Sequence, residues 1–281
     1  MRRGYTLIEI IITVAITGIL SVGMFKAFEA ITLRSEKAKI LATLSIDSQS
    51  ALDQISILLY NRLPTSVEGC TLSGGCVPLD QSTDKTILTW YGLASESYKA
   101  GDYSAFVDMN RSDYATKTLY TPNTDLSAVL VTEQNKWGNL FTIGDMGLIF
   151  SSSFDQGDNY TYTIANNALN TITITNPQSD MNISEKYNLV DSAYAVARKA
   201  EVASCANIPS GLDDNALLLF YDYRPWKGEN YCANAKVSIL AIQVNAFRAQ
   251  TINGTIRLSL DMNRTVRGGN PVRLSKQKVV F

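Results

Sequence analysis

From Ile10 to Phe25 the chain carries no charge. A run of that length has no stable place on the surface of a water-soluble domain, so it constrains everything after it. It is introduced by MRRGYTLIE, with Arg2 and Arg3 at the head and one acid, Glu9, at its edge. Tyr5 to Phe28 is 24 residues. At about 1.5 Å per residue that spans a hydrocarbon core of about 30 Å.

Three readings of this stretch compete. An ordinary secretory signal has the basic head and apolar core, but Glu9 interrupts the core and no small-x-small cleavage site precedes Lys26. A twin-arginine signal meets the same objections and lacks a hydrophilic lead-in. A retained transmembrane helix fits better, with Arg2 and Arg3 holding its short end inside. A lone carboxylate in hydrocarbon costs about 2.5–3.5 kcal/mol on insertion scales. Glu9 therefore needs a partner or a role; the plain alternative is that it snorkels to the interface.

Beyond Lys26 the pattern becomes amphipathic. Leu41, Leu44, Ser48, Leu52, Ile55, Leu59 and Leu63 recur at steps of three or four, between Glu36, Lys37, Lys39, Asp47, Asp53 and Arg62. This predicts one helix to Leu63, ended by Pro64, with one face packed on the domain C-terminal to it. Unbroken, residues 6–63 would make a rod roughly 87 Å long. Gly18 and Gly23 weaken its membrane half by about 1 kcal/mol each relative to Ala.

After Pro64 the chain is rich in Thr, Ser, Asn and Tyr, with short alternating segments. These predict antiparallel strands at 86–91, 127–133, 139–143, 148–152, 160–164, 171–175, 185–190, 193–199, 216–224, 236–249, 255–261 and 272–281. Asn253-Gly254 is a hairpin signal. Residues 94–125, with Tyr98, Tyr103, Phe106, Tyr114 and Tyr120, fit either an insertion or a wandering strand pair. The fold class is thus α+β: a long N-terminal helix packed against a β-rich head. One such head is the simplest division, although the length leaves room for two subdomains.

The chain has no histidine. That excludes Ser-His-Asp and Cys-His catalysis and every His-ligated metal. Serine–lysine and paired-carboxylate chemistry survive, without a motif. A net charge of −1 gives no global basic field for nucleic acid. Four cysteines pair by proximity as Cys70–Cys76 and Cys205–Cys232, one of three connectivities; their spacing does not suit zinc. An even count after a membrane signal favours disulfides in an oxidising compartment, the alternative being four reduced thiols.

Arg3-Gly4-Tyr5-Thr6-Leu7-Ile8-Glu9 followed by an apolar run resembles the class III signal of type IV pilins and type II secretion pseudopilins. The resemblance implies cleavage after Gly4 by a prepilin peptidase and methylation of the new amine on Tyr5, where the family usually has Phe. It implies residues 1–4 as leader, 5–28 as transmembrane helix, 29–63 as its amphipathic continuation and 64–281 as a periplasmic head. It places the chain in the bacterial inner membrane, with membrane lipid, an assembly platform and other pilins as partners. In the family's filaments Glu9 would meet the amine of a neighbouring subunit and set axial register. Many pilins carry a proline where this chain has Lys26, so a proline kink is not available here; an unwinding at Gly18–Gly23 within a filament is an expectation.

The hairpin of Val244–Arg248 and Ile256–Leu260 resembles the C-terminal hairpin of larger minor pilins and J-type pseudopilins. A minor subunit at a tip or initiating complex is the implied function. The alternatives are a filament-tip binding module for DNA uptake or adhesion, where nucleic acid would be a partner, and an exported enzyme. No cofactor is implied, but the acidic loop Asp155-Gln-Gly-Asp158-Asn159 is either a calcium site or a solvated turn. Tyr221-Asp-Tyr-Arg-Pro-Trp-Lys-Gly228 is either a contact patch built on Arg224, Trp226 and Lys227 or a hairpin with one aromatic face buried.

Overall fold

The computed structural model describes residues 6–72, 75–81, 85–151, 161–166, 168–175, 183–252, 254–266 and 271–281. Its first element is helix α1, Leu7–Tyr60, 54 residues without a break. At about 1.5 Å per residue it is about 80 Å long. It ends at Asn61, before the expected Leu63, because Leu63 is already extended ahead of Pro64. Pro64 opens a 3-10 turn, Pro64–Ser66.

The head comes next as β1 (Glu68–Thr71), β2 (Gly75–Pro78), β3 (Ile87–Leu93), α2 (Ser95–Ala100), β4 (Asp108–Asp113), β5 (Thr118–Asp125) and α3 (Leu126–Trp137). Then come β6 (Gly147–Phe150), β7 (Tyr162–Ile164), β8 (Leu169–Thr175), β9 (Tyr187–Arg198), β10 (Leu217–Tyr223), β11 (Lys236–Ala241), β12 (Val244–Ile252), β13 (Thr255–Thr265) and β14 (Pro271–Val280). One sheet runs β2-β1-β3-β9-β6-β7-β8-β5-β4, with β10 on β9 and β11 on β10. A second runs β12-β13-β14. Every pairing is antiparallel.

Strand β9 is the axis of the large sheet. It pairs with β3 on one side and with β6 and then β10 on the other. Residues 189–197 are buried without interruption, so the strand is covered on both faces. One core lies between the second half of α1 and both sheets, with Leu44, Leu52, Ile55 and Leu59 against Trp90, Leu258 and Leu260. The expected helical face is confirmed except at Leu41, which is exposed while Ile40 is buried beside Leu44. A second core covers the opposite face around Phe220 and Ala195, and a third surrounds Phe150, Tyr187 and Leu126.

Several expected strands are corrected. Residues 127–133 lie in α3, because Asp125 caps it by accepting from the Ser127 and Ala128 amides. Its buried residues Leu126, Val129 and Glu133 recur at helical spacing. Residues 139–143 form no strand, since α3 stops at Gly138 (φ 97°) and a 3-10 turn, Ile143–Asp145, comes after it. The segments 185–190 and 193–199 merge into β9, and 236–249 divides into β11 and β12, with Gln243 at φ 63° between them. Residues 94–125 hold α2, β4 and β5, and two strands outside the expected set, 68–71 and 75–78, pair as β1 and β2. Both disulfides join the cysteines paired by proximity, Cys70–Cys76 across β1 and β2, and Cys205–Cys232.

Helix α3 is fixed to β9 by a buried ionic cluster. Lys136 pairs with Asp191, and the Trp137 Nε1 donates to Asp191 Oδ2 at 3.1 Å. Ser97 Oγ donates to Glu133 Oε1 at 2.6 Å. Glu133 and Asp191 are fully buried, and among the described residues Glu133 Oε2 and Asp191 Oδ1 have no hydrogen-bond partner. Burial, then the Asp191 charge, raises the Glu133 carboxyl to about 7. Burial likewise raises Asp191, against the Lys136 ammonium.

Two outcomes are expected for the full chain in detergent. Leu52→Ala removes a buried methyl pair and should cost about 2–5 kcal/mol in chemical denaturation, whereas exposed Ile46→Ala should change stability by less than about 0.5 kcal/mol. Because Glu133 binds its proton more tightly folded than unfolded, the stability it confers is full below the unfolded carboxyl range and is lost as pH rises through about 7. Melting temperature should fall between pH 5 and 8 by the equivalent of about 1–3 kcal/mol, and Glu133→Gln should flatten that fall.

Candidate assembly helix

Thr6 opens α1 from an extended conformation, and Glu9 stands three residues on. The Thr6 amide and hydroxyl both donate to Glu9 Oε2, at 3.0 Å each. The carboxylate therefore lies over the helix N-terminus, where exposed amides and the helix dipole favour a negative charge. The T-x-x-E spacing is readable in the sequence, but treating Glu9 only as a membrane acid hides it.

Among the described residues, nothing covers the first half of α1. Residues 6–32 are all exposed, including Ile8, Ile11, Ile19, Phe25 and Phe28. An 18-residue window there has mean hydropathy 2.2 and no buried residue, which makes the helix long and apolar enough to cross a membrane. Its hydroxyls are satisfied within the helix. Thr13 donates to the Glu9 carbonyl at 2.6 Å, Thr17 to Thr13 at 2.6 Å and Ser21 to Thr17 at 2.7 Å. No polar hydrogen on that ladder is left to seek water, as a hydrocarbon surrounding requires. A Cβ added at Gly18 or Gly23 would meet no atom within 4 Å, so packing inside the chain does not demand glycine there.

The second half is clamped from outside. Lys276 on β14 donates to the Ser45 carbonyl at 2.8 Å and to Gln49 Oε1 at 3.3 Å. Lys278 pairs with Asp53 and draws its carboxyl below the ordinary range. At the helix end, Arg62 Nη1 donates to the Leu59 carbonyl at 2.7 Å and to Phe281 O at 3.4 Å. A cation at that position also suits the negative end of the helix.

Other sequence-derived candidates fall elsewhere. Arg2, Arg3, Gly4 and Tyr5 lie outside the described residues, as do Asp155 and Asp158. The stretch Tyr221–Gly228 is the end of β10 and a 3-10 turn, Pro225–Lys227. Trp226 is buried there, edge-on to Tyr91 with centroids 5.5 Å apart, and its Nε1 donates to the Asp145 carbonyl at 3.2 Å. Lys227 pairs with Asp145, and Arg224 with Asp222. These side chains are occupied in holding the head together. Among the described residues, Glu68, Cys70 and Cys76 are close enough to share a metal, but the two cysteines are bonded to each other.

Residues 1–25 match a family model described as the prokaryotic N-terminal methylation motif. No curated protein and no solved structure matches the chain. Proteins with this motif at the head of an apolar helix are generally structural subunits without enzymatic activity. The motif implies processing by a prepilin peptidase and assembly with other pilins, and with the apolar helix it fits anchorage in the inner membrane. The chain is pilin-like: it carries the N-terminal methylation motif of the type IV pilin and type II secretion pseudopilin class at the head of a long N-terminal helix.

Proposed function

We propose that this protein is a minor pilin or pseudopilin, a subunit of the tip or initiating complex of a type II secretion or type IV pilus filament. Cleavage occurs after Gly4, Tyr5 becomes the methylated N-terminus, and the helix from residue 5 to 28 stays in the inner membrane with the head in the periplasm. The observation that carries this reading is the division of α1. The matched motif heads a stretch whose every side chain is uncovered, while the head is fastened only further along. That uncovered surface is large enough to be shared first with lipid and then with the helices of other subunits. The non-repetitive head supports a minor position by analogy with larger family members.

Glu9 has two roles in this reading. In the single chain it accepts from Thr6 and completes the helix start. In a filament it exchanges that local contact for the methylated amine of a neighbouring Tyr5, and the two charges compensate each other in low dielectric. The requirement that each carboxylate meet one amine fixes axial register.

Mass spectrometry of the chain isolated from its membrane tests the processing. A methylated Tyr5 at the N-terminus is expected, and a start beyond residue 25 overturns the assignment. Glu9→Ala should still insert and be cut, yet enter filaments at least about tenfold less well, since an unpaired buried charge costs roughly 3–5 kcal/mol. Glu9→Gln keeps an acceptor for Thr6 but no charge. If it assembles like the parent, helix capping and not charge pairing is the role of this side chain.

A further inference from the structure

The two edges of the β12-β13-β14 sheet differ. β14 turns Lys276 and Lys278 inward onto α1, a device that discourages strand addition. β12 turns no lysine inward, and the 3-10 turn Leu79–Gln81 lies beside part of it. Among the described residues it pairs with β13 alone. Its register places Ile252 opposite Thr255 across a two-residue turn. In a hairpin of that kind the pair flanking the turn is hydrogen-bonded, and so is every second pair beyond it. Phe247, Ala249 and Thr251 thus direct their amides and carbonyls away from β13. Among the described residues, no other backbone group takes them up.

This edge forms one wall of a cleft of about 650 Å³. Asn245–Gln250 line that wall, and Lys85, Thr86, Arg198 and Glu201 stand across from them. A cleft admits one extended chain but not the edge of another sheet. Six strand residues run about 20 Å, and their free amides and carbonyls recur every second residue, which is the repeat of a peptide strand. The charge in the cleft is one-sided. Among the described residues Glu201 is its single acid, and it is already paired with Arg198, whose Nη1 also donates to the Asn245 carbonyl at 2.8 Å. Lys85 and Arg248 have no acidic partner among the described residues. The one aromatic ring on the wall, Phe247, is buried and offers no stacking platform for bases.

We propose that the cleft beside β12 binds an extended acidic segment of a partner protein, which adds to the sheet as a fourth strand. The main-chain ladder of β12 supplies the contact, and Lys85 and Arg248 select for carboxylates. This is a recognition function of the head, separate from packing of the N-terminal helix.

Fluorescence anisotropy on the full chain in detergent tests it. The probe is a labelled, end-blocked heptapeptide of sequence TEVTEVT. It should bind saturably, and TKVTKVT or TEVTEVT carrying N-methyl groups on alternate amides should bind at least about tenfold more weakly. Arg248→Glu should weaken binding by a similar factor. Ala249→Pro removes one outward amide at an edge, a position where proline is tolerated, and should do the same with melting temperature unchanged. If that variant melts early, Arg248→Glu and the N-methylated peptide decide the matter. Absence of saturable binding, equal binding of the acidic and basic peptides, or insensitivity to N-methylation overturns the proposal. So does displacement of the peptide by a ten-nucleotide oligothymidylate at lower concentration, which would make the cleft a nucleic-acid site.

Discussion

Burial of an apolar helix needs a facing surface, and α1 has one for only part of its length. Ile40, Leu44, Leu52, Ile55 and Leu59 meet the two sheets, but among the described residues nothing covers the helix up to Thr32. Water cannot be the medium for that first part, because Ile, Leu, Val and Phe side chains there would each forgo roughly 1.5–3 kcal/mol of burial. The hydroxyl ladder from Thr13 to Ser21 removes the remaining demand for water along one side. The helix is therefore built for two surroundings, and the head sits where they change.

Within the head, β9 has the same governing position that α1 has in the whole chain. It pairs with three strands and is buried on both faces, so charged groups near it have to be compensated. Asp191 is the one carboxyl side chain set into its buried run. Lys136 and Trp137 reach it from α3, which makes the helix a lid on the strand as well as a connection between β5 and β6. Gly147 on β6 belongs to the same packing. A Cβ there would come within 2.7 Å of Val190 and 3.1 Å of Trp226, so the burial of that tryptophan depends on a missing side chain.

The long helix, its buried face, the last hairpin and both disulfide pairings are legible in the sequence because each rests on local spacing. Leu44 to Leu59 repeat at helical intervals, and Asn253-Gly254 falls between two alternating runs. The misplaced strand at 127–133 has a physical source: β-branched residues point to strand where a cap decides for helix. Val129, Val131 and Thr132 suggest extended chain, but Asp125 supplies the cap that commits the segment to a helix. Trp226 and Lys227 look like a contact patch because their partner, Asp145, lies far away in the chain. The cleft beside β12 is not legible at all, since it joins Lys85, Arg198 and Arg248 from three segments far apart in sequence. At the candidate assembly site the motif is plain, and its T-x-x-E spacing also encodes the donation from Thr6 to Glu9.

The clamp on α1 comes from the last strand of the chain. Lys276, Lys278 and Phe281 reach back to Ser45, Asp53 and Arg62. Contacts that distant in sequence form late, after the intervening chain is in place. A nascent chain can insert its apolar segment long before its head can grip the rod, so anchoring and rigidity are separated in time. Until β14 is in place the helix has its apolar half but not its lysine clamp, so that part of its attachment to the head depends on contacts 225 and 231 residues apart in sequence.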